Sequence, residues 1–513
     1  MRIKLSGRTT QTANTVHQFL RKVKMSRFNT ANKTTTQTIN RANAPAYVQD
    51  PKMRLVSMMV TNFVKDQYYR KADESVDELV QLFDVVPPLF AAKATIYARD
   101  NFNMRSISHV AAAELALRAK GQDWYKRFFH KVALRVDDVT ETLAYLTARH
   151  GENGKLKVLP HCLIKGMQLA FSKFDEYQLG KYRGRDKAVN LIDALRLAHY
   201  KPNEKQKKAL DGLFKAGTKG GELTAKKTYQ KELTEIGLKK DVTEEQKEEL
   251  KKEVWVKQIK EKKIGYFALL RNLRNILEQS PDVLDEALES LTSDKLIASS
   301  RVLPFRFLTA IDEIKKLTGA GTRKVIKALN EAIDKSCKNV PELSGRTLIA
   351  LDKSGSMEGQ PKHIGSLFAA IMAKACDADV MLFADEAKSK QVNPADSTLT
   401  IAEQLRDDSL SGGTNIDTVF DLAKEKYDRV ILLSDMQHWV SGQPANEGLE
   451  RYKKRVGANP KVFSFDLQGY GSLQFPQENI FQMAGFSPEV FDILVLLEKD
   501  KRAMIQEIEN ITI

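Results

Sequence analysis

Cysteine is nearly absent from this chain: Cys162, Cys337 and Cys376 are the only three in 513 residues. Three scattered thiols cannot build a disulfide framework or a zinc cluster, so a reducing, cytoplasmic setting is expected. No apolar run is long enough to span a bilayer, and no membrane association is expected. The opening Met1-Arg2-Ile3-Lys4-Leu5-Ser6-Gly7-Arg8 passes into Thr, Gln and Asn without an apolar core, which argues against a secretory signal. There is no Walker A loop. Nor is there a nuclease-like cluster of carboxylates or a nucleophile with a matched base. His109, His130, His161, His363 and His438 stand isolated and read as packing or surface residues, so no enzyme is expected.

Charge is plentiful but unevenly shared. The chain carries 81 Lys+Arg against 66 Asp+Glu, a net +15. From Arg346 onward there are 18 basic and 25 acidic residues, a net −7, which leaves about +22 on the first 345. This divides the chain into a basic body, 1–345, and an acidic domain, 346–513. A basic body is the electrostatic footprint of a nucleic-acid binder, because Lys and Arg neutralise phosphates and release counterions.

The basic body reads as helix. Apolar residues recur at three- and four-residue spacing in Leu55-Val56-Met59-Val60-Phe63-Val64, in Val76-Leu79-Val80-Leu82-Phe83 and in Val110-Ala111-Leu115-Ala116. Breaks at Pro87-Pro88, Pro160 and Pro281 separate segments that pair like those of an α-solenoid, although no sharp sequence period is visible. Residues 1–45, rich in Thr, Asn and Gln, read as a loosely ordered arm. Between Lys201 and Lys263 lie 18 lysines, 12 acidic residues and no arginine. That composition suits a solvated helical scaffold with diffuse electrostatics.

The acidic domain begins with a different pattern. The apolar strand Leu348-Ile349-Ala350-Leu351 runs into Asp352-Lys353-Ser354-Gly355-Ser356, which places a carboxylate and two hydroxyls at i, i+2 and i+4. Several hard oxygens on one loop suit Mg²⁺ or another divalent cation. Thr414, in Ser411-Gly412-Gly413-Thr414-Asn415, and Asp435, after the strand Val430-Ile431-Leu432-Leu433-Ser434, complete a candidate set at the carboxyl ends of strands, where ligands collect in open α/β sheets. A phosphatase of the Asp-x-Asp type needs a carboxylate where Ser354 stands, and no Gly-x-Ser-x-Gly elbow is present. The ordered trio Asp-x-Ser-x-Ser, Thr and Asp resembles the metal-ion-dependent adhesion site of von Willebrand factor A domains. That resemblance implies a docking metal with one position open to an acidic group, ligated by Asp352, Ser354, Ser356, Thr414 and Asp435.

Cations and aromatic rings mix in Phe171 to Arg185, in Arg196 to Pro202 and in Gly265 to Asn275, the combination that single-stranded RNA recognition needs. Phe171, Phe174, Leu269 and Leu270 fit a helix core better than a binding face. Lys181, Arg183, Arg185, Lys187, Arg196, His199 and Lys201 are the better RNA-face candidates. The segments Ala170–Leu179, Leu195–His199, Ala268–Leu273 and Tyr97–Asp100 resemble the TROVE module of the Ro autoantigen family, and Met483–Asp492 resembles the family's C-terminal end.

The resemblance, to a bacterial or phage-type member, implies a mainly α fold: a ring of HEAT-like helical repeats closed by a C-terminal Rossmann-like von Willebrand factor A domain. It further implies a monomer that binds small structured Y or Y-like RNA on its outer surface and single-stranded 3′ ends of misfolded RNA in its hole, beside an exoribonuclease, in RNA quality control. Lys165, Lys181, Arg183, Arg196, His199, Lys201, Arg271 and Arg274 would contact RNA. The competing expectation is a metal-dependent protein-docking scaffold without an RNA ligand.

Overall fold

The computed structural model describes residues 37–513 except 48–49, 62–71, 153–155, 182–186, 208–209, 211–228, 240, 342, 441–444, 469, 471–473, 476–479, 485–490, 492–493, 496–497 and 499–502. Strands β1 (Gln37–Ile39) and β2 (Pro45–Tyr47) form an antiparallel hairpin, so the expected arm of residues 1–45 gives way to ordered structure at Gln37. The reason is local. Asn40 Oδ1 accepts from the Ala42 and Ala44 N–H groups at 2.9 and 3.0 Å, closing an Asx turn that register alone would not hold.

From Pro51 to Ser336 the described chain is helical apart from short connections. Pro88 opens the helix Pro88–Asn101, where its missing N–H costs nothing. Arg105–Arg118 is buried from Ile107 to Ala116, and the small Ala111-Ala112-Ala113 run lets neighbouring helices approach closely. The Lys-rich segment contributes Glu244–Lys260, started by a capping box in which Thr243 and Gln246 exchange bonds and anchored by the buried Val254, Trp255 and Ile259.

The C-terminal region is a six-stranded sheet in the order β5-β4-β3-β6-β7-β8, parallel except for β5. The strands are β3 (Thr347–Asp352), β4 (Asp379–Phe383), β5 (Ala387–Lys390), β6 (Arg429–Ser434), β7 (Lys461–Asp466) and β8 (Ile480–Ala484). Every residue of β3 and β6 is buried, the near-continuous apolar run expected of strands covered on both faces. Connections leave β3 toward β4 on one side while β6 pairs on the other, so the strand order reverses between β3 and β6. Their carboxyl ends flank a topological switch point.

The first helices and one face of the sheet share an apolar core that runs from Leu55 to Ile508, while the helices between Trp255 and Ile333 and the other face of the sheet, from Leu348 to Phe475, have cores of their own. At one end, Lys52 pairs with Glu509. At the other, Asp334 Oδ1 accepts from the Thr398 N–H at 2.8 Å and the Thr398 hydroxyl at 2.6 Å, capping the helix Thr398–Arg406 from outside. Phe305 stacks on Phe368 and Phe491 across the junction, with centroids 6.3 and 6.0 Å away.

One polar network lies inside the helical region. Asp138 meets Arg99 at 3.1 Å, Arg105 at 2.8 Å and His109 at 2.9 Å, and it also accepts from the Arg135 N–H at 2.9 Å. Burial opposes its ionisation, but hydrogen bonds from His109 and Arg105 and the charge of Arg99 hold the carboxyl well below the usual range. A carboxylate with a depressed folded pKa contributes stability above its unfolded value of about 4, and that contribution disappears as pH falls through the folded value. Asp138→Ala is expected to cost about 3–5 kcal/mol in urea unfolding at pH 7, because the buried Arg99 loses its carboxylate partner and keeps only the Val132 carbonyl. The difference from wild type should shrink below about pH 4; equal stability at pH 7 would show that the network contributes nothing.

Candidate metal centre and basic surface

Three loops meet at the switch point. Asp352 closes β3 fully buried; its Oδ1 accepts from the Ser354 N–H at 2.8 Å and its Oδ2 from the Ser434 hydroxyl at 2.5 Å. The hydroxyls of Ser354 and Ser356 lie 3.3 Å apart. Asp435 follows β6, also fully buried; its Oδ1 accepts from the Gln437 N–H at 3.2 Å, while its Oδ2 is buried with no hydrogen-bond partner. Thr414 is buried on the loop before the helix Asp417–Leu422. Its carbonyl accepts from the Trp439 N–H at 3.1 Å, which ties this loop to the one carrying Asp435.

Glycine is required where these loops cross. Gly412 has φ +146°, and a Cβ there would fall 2.2 Å from Asp385 Oδ2; at Gly413 it would fall 2.6 Å from Trp439. Lys353, between the first two oxygen donors, is itself fully buried and turns away to donate to the Leu405 and Arg406 carbonyls at the end of Thr398–Arg406. A cation at a helix C-terminus is favourably placed, and the bonds lock the Asp352 loop to that helix.

Two buried carboxylates without a cation are an unstable arrangement. Burial pushes both acids up, Asp435 further through the charge of Asp352, while hydrogen bonds from Ser434 and Ser354 offset part of the effect on Asp352. Among the described residues no group of three or more His, Cys, Asp or Glu side chains could hold a metal. Here the donors are two carboxylates and the hydroxyls of Ser354, Ser356 and Thr414, all hard oxygens. With the orphaned Asp435 Oδ2, that set fits a small divalent cation such as Mg²⁺.

The basic candidates fall into distinct groups. Lys165 is exposed on His161–Ser172, and Arg196, His199 and Lys201 are exposed at and just beyond the end of Leu191–Leu197. Gln168, one turn from Lys165, donates to the Ala198 carbonyl at 2.8 Å, so the two elements present one surface. Lys187 is exposed but pairs with Glu141. Lys181 ends the helix Glu176–Lys181, while Arg183 and Arg185 lie outside the described residues. Arg271 is exposed; Arg274 is engaged with Glu278 at 3.4 Å and Glu313 at 3.0 Å. Phe171, Phe174, Leu269 and Leu270 are core residues.

The TROVE domain model matches residues 6–252 and 243–353. The chain belongs to the TROVE-domain family. Telomerase protein component 1 of Mus musculus is 25% identical over 342 residues, spanning 53% of this chain and 13% of that protein. RNA-binding protein RO60 of Deinococcus radiodurans is 25% identical over 230 residues, 40% of this chain and 43% of that protein. The chain therefore spans less than half the length of either relative. In structure, the chain superimposes on the Deinococcus radiodurans RO (RSR) protein with a TM-score of 0.61 at 21% identity, covering 88% of this chain and all of that one.

Sequence reading of this TROVE-family chain missed the roles of Lys353 and Gln437. Nothing in composition separates a buried lysine that caps a helix from a surface one; only its place between Asp352 and Ser354 hinted at it. Because the two carboxyls are raised when metal-free, the stability of the protein in chelator should fall as pH rises above about 4 toward neutrality. Mg²⁺ should raise the melting temperature, more at pH 8 than at pH 6, since the cation competes with protons. Asp435→Asn should stabilise the chelated protein by about 1–2 kcal/mol and abolish the Mg²⁺ increment. A metal increment that survives this substitution would place the cation elsewhere.

Proposed function

We propose that this protein is a non-catalytic, cytoplasmic RNA-binding ring, acting as a monomer in RNA quality control. The reading is supported most directly by the exposed basic surface of Lys165, Arg196, His199 and Lys201 on a TROVE-family scaffold. A small structured Y or Y-like RNA would bind there through phosphates, with affinity set by counterion release and selectivity by duplex shape. Unpaired 3′ ends of misfolded RNA would thread the hole of the HEAT-like ring, within reach of an exoribonuclease partner. Ring closure by a von Willebrand factor A-type domain is favoured by the contacts that the sheet region makes with both the first and the last described helices of the basic body.

Asp352, Ser354, Ser356, Thr414 and Asp435 would hold Mg²⁺, which when bound supplies a Lewis-acidic point for an acidic partner group. The protein's own contribution is to keep the donors dry and oriented. A second reading, docking of a protein without RNA, is favoured by Trp439 and Val440, which are 46% and 37% exposed on the Asp435 loop within a region of net −7.

Replacing Arg196, His199 and Lys201 together by Ala should weaken binding of a small stem-loop RNA about 10- to 100-fold near physiological salt. The slope of log affinity against log salt should flatten by roughly 2, with the melting temperature unchanged. Anisotropy titrations at several salt concentrations read both quantities. Unchanged affinity and slope would remove this surface from the RNA face.

A further inference from the structure

The loop that carries Asp435 is gripped from the far end of the chain. The Asn40 side-chain amide donates to the His438 carbonyl at 2.7 Å, and the Arg41 N–H donates to Gln437 Oε1 at 2.7 Å, contacts that span 398 and 396 residues of sequence. Gln437 in turn donates its side-chain N–H to the Asp435 carbonyl at 3.0 Å and its backbone N–H to Asp435 Oδ1 at 3.2 Å. His438 carries the same grip to the second ligand loop, because its Nδ1 accepts from the Ile416 N–H at 3.0 Å. Both bonds from the hairpin therefore end within three residues of the Asp435 carboxylate.

The hairpin is shaped for this contact. The Asx turn at Asn40 uses the amide oxygen for Ala42 and Ala44, which leaves the amide nitrogen directed at His438. Asn40 and Gln437 are both buried, where polar side chains need their partners. The Arg41 guanidinium meets Glu78 at 3.5 Å and lies 5.8 Å above the Tyr470 ring, so the turn touches the helical body and the sheet region at once. Tyr47 adds a bond to Asn446 at 3.2 Å.

We propose that the hairpin Gln37–Tyr47 is a positioning element of the metal centre, acting through Gln437 on Asp435, so that cation occupancy and hairpin docking favour one another. The inference rests on the metal-site reading above. Thermodynamic linkage makes the coupling reciprocal: whatever factor the docked hairpin adds to cation affinity, the cation adds to hairpin docking. It also gives the helical body a hand in the readiness of a site whose ligands all lie in the other region.

The test uses the full chain and Mn²⁺ as the probe, with affinity read by electron paramagnetic resonance and docking by amide hydrogen exchange. Gln437→Met removes the side-chain bonds at similar volume; Asn40→Asp keeps the turn acceptor and loses the donor to His438. Each substitution should weaken Mn²⁺ about tenfold, as substitutions of outer-shell groups commonly do. In the wild type, saturating Mn²⁺ should slow exchange in residues 40–47. That protection should vanish in both variants, while strands β3 and β6 stay protected as proof of an intact fold. Wild-type affinity in both variants, with hairpin amides indifferent to Mn²⁺, overturns the proposal alone. Failure of the wild-type chain to bind Mn²⁺ overturns the metal-site reading together with it.

Discussion

Two carboxylates, Asp352 and Asp435, are held out of water near each other at the ends of adjacent parallel strands, and much of the surrounding structure exists to make that tolerable. Burial disfavours the charged form of each, and each receives hydrogen bonds that cover only part of its oxygen surface. Such strain persists only when the fold over-determines the position. The fully buried strands β3 and β6 fix the two backbones, Lys353 ties one loop to the end of Thr398–Arg406, and Gly412-Gly413 lets the Thr414 loop cross close by.

The same braces are the joints between the two regions of the chain. Asp334, from the last helix of the basic body, caps Thr398–Arg406, whose far end is held by Lys353 beside Asp352. The hairpin at the other end of the body reaches Gln437 and His438 beside Asp435. Each half of the candidate metal centre is thus wired to a different end of the helical segment.

Much of this was legible in the sequence, and the reasons are physical. Asp-x-Ser-x-Ser after an apolar strand constrains chemistry through residue type and spacing, and Asp435 repeats the same strand-end logic, whereas Thr414 lies not at a strand end but on the loop between the helices Thr398–Arg406 and Asp417–Leu422; sheet order then places β3 beside β6. Helical periodicity in the basic body likewise survives folding, because three- and four-residue spacing is a local property. What escaped depends on distant partners. Lys353, Gln437 and Asn40 look like ordinary polar residues until folding brings a helix end or a loop 396 residues away against them. Residues 37–45 read as part of a polar arm because their order comes from docking rather than from their own apolar content. Arg274 shows the reverse limit: it belonged to a promising basic run, yet Glu278 and Glu313 occupy it.

The central claim is that the basic body exists to hold RNA. Sequencing the RNA retained by the full chain, purified from its native cells at low salt, tests this most directly. The account predicts enrichment of a small stem-loop RNA together with transcripts bearing unpaired 3′ ends. No RNA enriched above background, with a protein partner instead retained in Mg²⁺ and released by chelator, would contradict it.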